Sequence, residues 1–219
     1  MDNFFQNVFP FYKNLNLEDK KLLCENTTFK KFEQLQSVHN NTECSGLFIV
    51  KKGRLRVYML SDEGKEITLY RLYEGDMCML AASCVLQCIE FDVYLDAEIP
   101  SECLQIDTLT FQQISDKNLE VKNFLLEMAL TRFSDVMWVM QQILFMSMDK
   151  RIAIFLLDEM NLNNTDIINI THEQIAKHLG SAREVISRIL KRMANDNILE
   201  LSRKGIIIKD KQKLKKLAY

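Results

Sequence analysis

The chain has 219 residues, of which 47% are hydrophobic and 26% are charged. These proportions are typical of a protein that folds around its own cores, and the length allows two modest domains or one large one. The formal net charge of −2 excludes a chain that binds nucleic acid as a polycation along its whole length. The charge is uneven, because residues 150–219 carry 14 Lys and Arg against 8 Asp and Glu, which leaves a net of −8 on residues 1–149. An acidic front and a basic back indicate a control region joined to an anion-binding region.

The sequence carries no sign of export or membrane insertion. Residues Met1–Phe5 offer no basic segment followed by an apolar run, so they do not predict a secretory signal. The most apolar long stretch, 119–148, is interrupted by Lys122, Glu127, Arg132 and Asp135, so it does not predict a membrane span. Six cysteines without an export signal favour a reducing compartment. We therefore expect a cytoplasmic protein with no membrane partner.

The front half has the pattern of an antiparallel β-structure. Runs rich in β-branched and aromatic residues lie at 47–50, 55–60 and 66–70, between glycines that recur about every ten residues. Short strands at this spacing predict a sandwich or barrel, with a hairpin turn at Asp62–Lys65. Further strands around 85–95 and 98–106 would complete the barrel.

From about residue 111 the hydrophobic period becomes helical, and it runs for roughly 30 residues. One apolar seam consists of Leu119, Leu126, Leu130, Phe133, Met137, Met140 and Leu144. A second seam consists of Leu125, Ala129, Val136, Val139 and Ile143. A helix with two apolar seams buries two sides, which favours a dimerisation helix with one seam on a second copy and the other on its own barrel. The alternative is a long core helix of a monomer.

The helical stretch breaks at 146–149, where Ser147 is a predicted N-cap for the next helix. The fold class we predict is α+β, in three parts. These are a jelly-roll sensing domain at 1–113, a dimerisation helix at 114–146, and a winged helix-turn-helix domain at 147–219.

The segment 171–193 predicts two short helices joined by a tight turn. Thr171 and Gln174 form a capping box that opens the first helix, Gly180 ends it, and Ser181 is placed to cap the second. Two helices joined in this way form a helix-turn-helix.

The second helix separates apolar and polar residues into two halves. Ala182, Val185, Ile186, Ile189, Leu190 and Met193 share one face, and the opposite face carries Arg183, Glu184, Ser187, Arg188, Lys191 and Arg192. Arginine binds guanine in bidentate fashion and glutamate accepts from the cytosine amino group, so Arg183, Glu184, Ser187 and Arg188 are candidate base-reading residues. Lys191 and Arg192 suit phosphates, as do Arg203 and Lys204 at the tip of a predicted β-wing, 198–208. The competing interpretation is a solvated amphipathic helix.

In order and spacing, the segments 50–54, 62–66, 74–76 and 180–188 resemble the CRP/FNR family of bacterial transcription regulators, and the resemblance covers essentially the whole chain. It implies an effector-binding jelly roll, a dimer helix, a hinge and a winged helix that reads a palindromic site in double-stranded DNA. It also implies base reading by Arg183, Glu184, Ser187 and Arg188 and a phosphate contact from Thr171. With Ser181 added, the predicted phosphate contacts are Thr171, Ser181, Lys191, Arg192, Arg203 and Lys204. RNA polymerase is a further candidate partner.

The stretch of the front domain that would bind the signal differs in sequence from that of the best-known members of the family. The stretch 75–88 contains no arginine to bind a cyclic phosphate, so a cyclic nucleotide is not expected. The same stretch holds Cys78, Cys84 and Cys88, which form a tentative effector pocket. Two interpretations stay open: the thiols hold a metal or iron–sulfur cluster or respond to oxidation, or they pack the barrel as small apolar residues. The sequence leaves the presence of a metal unknown.

No catalytic residues are predicted, so we do not expect an enzyme. The barrel region holds one histidine, His39, which is too few for a metalloenzyme of the cupin type, and neither a phosphate loop nor a nucleophile elbow is present. His172 and His178 are interpreted as surface residues of the DNA-binding segment. The alternative function is a ligand- or redox-sensing barrel protein that acts through a protein partner rather than through DNA.

Overall fold

The computed structural model describes residues 1–39, 46–78 and 92–219. Its α-helices are α1 Asp2–Val8, α2 Leu17–Glu25, α3 Thr108–Lys117, α4 Leu119–Phe145, α5 Met148–Asn163, α6 His172–Leu179, α7 Arg183–Asn195 and α8 Lys211–Ala218, and a 3-10 helix spans Pro10–Asn14. Its strands are β1 Thr27–Phe32, β2 Ser37–His39, β3 Leu47–Leu60, β4 Glu66–Leu72, β5 Met77–Cys78, β6 Tyr94–Ile106, β7 Ile167–Ile168, β8 Leu199–Ser202 and β9 Gly205–Ile208. The chain divides into two units, Met1–Leu60 with Leu69–Val136, and Ser61–Thr68 with Met137–Tyr219.

The first unit is built on an antiparallel sheet with strand order β1-β6-β3-β4, in which β2 pairs with β6 and β5 pairs with β3. The strands predicted at 47–50 and 55–60 are one long strand, β3, whose register with β6 shifts between Val50 and Leu55. Gly53 lies at this irregularity with φ of 102°, where an added Cβ would lie 2.7 Å from the Pro100 carbonyl oxygen. The close approach of the two backbones explains why glycine is required there.

The helical stretch that was predicted as one element is divided. Helix α3 ends at Lys117, and Asn118 adopts an extended conformation before α4 begins at Leu119. The Asn118 side-chain oxygen accepts from the backbone N–H of Glu120 at 3.0 Å, which satisfies a free donor at the start of α4. The break therefore arises from a local cap that the hydrophobic period does not reveal.

The two seams of α4 differ in exposure. Leu125 is buried in the core formed with α1, the 3-10 helix and α3, and Val136 packs against the sheet core. The other seam is exposed along its whole length, with Leu130 at 68% and Phe133 at 64% exposure. The second seam is thus covered by the first unit at Leu125 and Val136, whereas Ile143 at its end is 47% exposed. The first seam is covered by nothing within the described residues.

The second unit has its own core, contributed by α5, α6, α7 and α8 and by a three-stranded sheet of order β7-β9-β8. Ser147 caps α5 as predicted, because its hydroxyl accepts from the Lys150 backbone N–H at 3.3 Å. The β8–β9 hairpin confirms the predicted wing strands, and β7 adds a short third strand that the sequence did not indicate. Among the described residues, no helix is both long enough and apolar enough to cross a bilayer.

Candidate nucleic-acid interface

Helix α6 begins with the capping box that the sequence predicts. The Thr171 hydroxyl accepts from the Gln174 backbone N–H at 3.1 Å, and the Gln174 side-chain oxygen accepts from the Thr171 backbone N–H at 2.9 Å. These reciprocal bonds satisfy two donors that a helix start otherwise leaves free. Thr171 is exposed, so the start of α6 is accessible to a ligand.

The turn between α6 and α7 agrees with the prediction at Gly180 and differs at Ser181. Gly180 ends α6 in the left-handed conformation, with φ of 61° and ψ of 41°. Ala182, and not Ser181, is the N-cap of α7, and it makes no side-chain capping bond. The prediction that Ser181 caps the second helix is therefore wrong. Its backbone N–H instead donates to the Ala176 carbonyl at 3.0 Å and closes the turn.

Helix α7 has one buried and one exposed face, as its sequence predicts. Ile186, Ile189, Leu190 and Met193 are buried in the core of the unit. The opposite face forms an open, shallow concavity lined by Arg183, Glu184, Ser187, Arg188, Lys191, Arg192 and Asn195. All four candidate base-reading residues lie on this one surface. Arg183, Glu184 and Arg188 are exposed and make no side-chain ion pair with the described residues.

Ser187 has a partner that the sequence analysis did not assign. The Nδ1 atom of His172, in the first turn of α6, lies 2.8 Å from the Ser187 hydroxyl oxygen. His172 also lines a second shallow surface with Thr171, Glu173 and Arg183, beside the first. The sequence offers no signal for this contact, because the two residues are fifteen positions apart on different helices.

The two histidines of α6 differ from the expectation that both are surface residues. His172 is half-buried, and His178 is buried with its ring 5.2 Å from that of Phe155. Burial lowers the pKa of His172, and the positive charges of Arg183 and Lys191 lower it further. His172 is therefore an uncharged imidazole at neutral pH.

The candidate phosphate contacts divide into free and paired cations. Lys191 is exposed and makes no ion pair within the described part of the chain. Arg192 instead forms an ion pair with Asp149 in the first turn of α5. At the wing, Arg203 and Lys204 are exposed in the turn between β8 and β9, where the Ser202 hydroxyl accepts from the Lys204 backbone N–H at 3.1 Å.

A buried arginine supports the helix-turn-helix from behind. The Arg151 guanidinium of α5 donates through Nη2 to the Leu179 carbonyl, in the last turn of α6, at 2.6 Å. Burial lowers the pKa of Arg151. This bond satisfies a carbonyl that the end of α6 leaves free, so Arg151 is a structural cation rather than a ligand-binding one.

The candidate effector pocket is only partly within the described structure. Cys78 and Cys103 are buried in the core of the first unit. Cys84 and Cys88 lie outside the described residues. Burial raises the pKa of Cys103 to about 12, so this thiol stays protonated and is a poor nucleophile and metal ligand at neutral pH. No group of three His, Cys, Asp or Glu side chains within ranges 1–39, 46–78 and 92–219 forms a metal site.

The first unit holds a cation that the sequence pattern of 75–88 does not reveal. The Arg132 guanidinium of α4 lies 4.9 Å from the centre of the Tyr70 ring and pairs with Asp76 at 3.4 Å and Asp135 at 2.9 Å. The Tyr70 hydroxyl is buried without a hydrogen-bond partner among the described residues. Arg132 lies far from the stretch 75–88 along the chain, and only the folding of α4 brings it near Tyr70. Two carboxylates already balance its charge.

Comparison with known proteins identifies the family. The Crp-like helix-turn-helix domain matches residues 150–217, and the cyclic nucleotide-binding domain matches residues 36–118. A crystal structure from Eubacterium rectale, assigned to the CRP/FNR family of transcriptional regulators, is 44% identical and has a TM-score of 0.93, covering 97% of this chain and 99% of that one. The chain belongs to the CRP/FNR family.

Curated relatives of this CRP/FNR protein are more distant. One assigned as the transcriptional regulator Flp of Lacticaseibacillus casei is 25% identical over 97% of both chains. The cAMP-activated global transcriptional regulator CRP of Salmonella typhimurium is 25% identical over 78% of this chain and 84% of its own.

These comparisons confirm several of the sequence-based predictions. The α+β fold, with a cyclic-nucleotide-binding-type domain before a helix-turn-helix domain, is that of the family. The protein is a CRP/FNR-type transcriptional regulator with a helix-turn-helix. Its relatives are transcription regulators and not enzymes, as expected for this chain.

Proposed function

We propose that this CRP/FNR protein is a dimeric, sequence-specific DNA-binding regulator that acts in the cytoplasm and responds to a signal at its N-terminal barrel. The observation that carries the proposal is the outer face of α7, where Arg183, Glu184 and Arg188 are exposed on one shallow surface. Arginine and glutamate supply the donors and acceptors that match base edges in the major groove. Arg203 and Lys204, exposed in the turn of the wing, are further cations of the same unit that could bind phosphates.

The exposed seam of α4 supports a homodimer. Seven large apolar side chains follow one line of this helix and remain exposed in the single chain: Leu119, Leu126, Leu130, Phe133, Met137, Met140 and Leu144. A continuous apolar surface of this kind marks a protein interface. A second copy of the same helix offers an equivalent seam, and a two-fold dimer would read a palindromic operator with half-sites about 34 Å apart.

We infer that the signal is not a cyclic nucleotide. The stretch 75–88 has no arginine, and the Arg132 guanidinium is already paired with Asp76 and Asp135. A phosphate approaching Arg132 would therefore meet a guanidinium whose charge two carboxylates already balance. A signal at Cys78, Cys84 and Cys88 remains the candidate, either as oxidation or as a bound metal or cluster.

The direct test is selection of bound sequences from random double-stranded DNA by the purified full chain. We expect enrichment of a palindrome whose half-sites are about one helical turn apart. Failure to enrich any sequence, with the dimer and its fold intact, would favour a barrel protein that acts through a protein partner. Binding of RNA polymerase to the DNA complex is then tested by co-sedimentation.

The signal is tested on the same operator. Anaerobically purified protein is analysed for metal and labile sulfide, and its operator affinity is measured before and after peroxide and with cyclic AMP or cyclic GMP. We expect a response to peroxide or metal loss and none to the cyclic nucleotides. An affinity that changes with a cyclic nucleotide alone would overturn this part of the proposal.

A further inference from the structure

The hydrogen bond between His172 and Ser187 joins the first helix of the helix-turn-helix to the reading face of the second. Nδ1 and Oγ are 2.8 Å apart, and within the described chain this is the one side-chain hydrogen bond that Ser187 makes. Ser187 lies one turn from Arg183 and one turn from Lys191 along α7. The hydroxyl therefore has a fixed hydrogen-bond partner at the middle of the surface assigned to base reading.

A free serine hydroxyl reads bases poorly, because it rotates and can both donate and accept. It pairs with base amino groups as readily as with base oxygen and nitrogen acceptors, so it carries little sequence preference. A fixed partner removes this freedom. If the imidazole nitrogen accepts the serine proton, only the oxygen lone pairs remain for the base; if the nitrogen donates, the serine proton remains for the base.

The state of His172 makes such a constraint effective. At neutral pH the imidazole is uncharged, because burial and the charges of Arg183 and Lys191 lower its pKa. A neutral ring carries one donor and one acceptor nitrogen, so the nitrogen facing Ser187 has a single role at a time. Ser187 lines the concavity of α7 together with the candidate base-reading residues, whereas His172 lines the neighbouring surface and is not part of that concavity.

We propose that His172 is a positioning residue that fixes the Ser187 hydroxyl and thereby sets the base preference at the base pair which that hydroxyl faces. The proposal rests on the proposed function, since it assumes that α7 reads DNA. It assigns sequence preference to a side chain of the first helix that does not itself touch the base.

The test uses the full chain and the operator selected by the wild type. Ser187→Ala first identifies the base pair whose preference depends on the hydroxyl. We expect His172→Phe to reduce discrimination at that same base pair by about three- to tenfold, as for the loss of one oriented hydrogen bond. The double variant should lose no more discrimination than Ser187→Ala alone, because both changes remove one coupled interaction.

A matched control comes from the same face of α7. Lys191→Gln removes an exposed cation one turn from Ser187. We expect it to weaken binding to cognate and random DNA alike, without altering the preference at the identified base pair. Circular dichroism of each variant checks that the helices remain folded.

Two results would overturn the proposal while leaving DNA reading by α7 intact. If His172→Phe lowers the affinity for cognate and random DNA equally, His172 is a phosphate contact or a fold-stabilising residue. Additive losses in the double variant would show that His172 contacts the base itself. If the wild type selects no operator, the proposed function fails before any His172 variant is compared, so the two failures are distinguishable.

Discussion

Helices α4 and α7 each bury one apolar face, but their exposed faces differ in polarity. Each packs one apolar face into its own unit, through Leu125 in α4 and through Ile186 and Leu190 in α7. The remaining face of α4 is apolar and includes Phe133, whereas that of α7 carries Arg188 and other charged side chains. The character of the exposed face indicates the kind of partner. An exposed apolar seam is typical of a protein–protein interface, and an exposed cationic face is typical of a surface that binds a polyanion.

The largest effect is expected from breaking the apolar seam of α4. Phe133→Lys places a charge where a second helix should pack, so we expect a monomer whose operator affinity falls by about 10²- to 10⁴-fold through loss of the linked second half-site. Analytical ultracentrifugation and fluorescence anisotropy measure the two effects. Thr131→Lys introduces the same charge on an exposed position of the opposite side of α4 and should leave both unchanged. A dimer that survives Phe133→Lys would place the interface elsewhere.

The next effect concerns the charged face of α7. Arg188→Ala should cost roughly 1–3 kcal/mol at the selected operator and relax base preference at one position, because a bidentate contact to guanine is lost. Titration of operator variants and random DNA at fixed salt measures it. An equal loss on random DNA would identify Arg188 as a phosphate contact instead.

A smaller effect is expected from Arg151, the buried residue that holds the end of α6, compared with Arg183 on the exposed face of α7. Arg151→Met removes the bond to the Leu179 carbonyl and should destabilise the second unit by about 1–2 kcal/mol. Hydrogen exchange of α6 amides reports this locally. Arg183→Met, on the exposed face, is the matched control and should weaken DNA binding without altering exchange. Unchanged exchange in Arg151→Met would mean that water replaces the guanidinium.

The smallest effect is a pH dependence. The pKa of His172 is lowered in the folded protein from an ordinary value of 6.5, so the unfolded chain binds more protons between the two values. The stability contributed by neutral His172 is therefore present above pH 6.5 and is lost as the pH falls through 6.5 toward the folded-state pKa. We expect His172→Gln to flatten the fall in melting temperature over that range. His39, whose pKa burial also lowers, remains in this variant, so an identical fall would assign the effect to His39 or to other groups.

Local sequence patterns predicted the residues of the candidate site better than they predicted the tertiary contacts that hold those residues in place. The capping box at Thr171, the glycine turn at Gly180 and the two faces of α7 depend on residues within one or two helical turns, so the sequence reveals them. The bond from Arg151 to Leu179 and the contact of His172 with Ser187 depend on tertiary packing, which no local period encodes.

The first unit illustrates the same limit. No local pattern predicted α1, α2, β1 or β2, because their pairing partners and core contacts lie far along the chain. Strand β1, for example, pairs Thr27 with Ile106. The helical period through 111–145 was correct, but the side-chain cap at Asn118 divides it. A hydrophobic pattern indicates which residues are apolar together and not where a polar side chain interrupts the backbone.

The ion pair between Asp149 and Arg192 sets Arg192 apart from the other cations on the exposed face of α7. The Asp149 carboxylate stands in for a DNA phosphate, so a phosphate reaches Arg192 only by exchanging one anion for another. Arg192 therefore adds to the attraction of DNA only after this exchange, whereas Arg183, Arg188 and Lys191 make no ion pair among the described residues and are available from the first encounter.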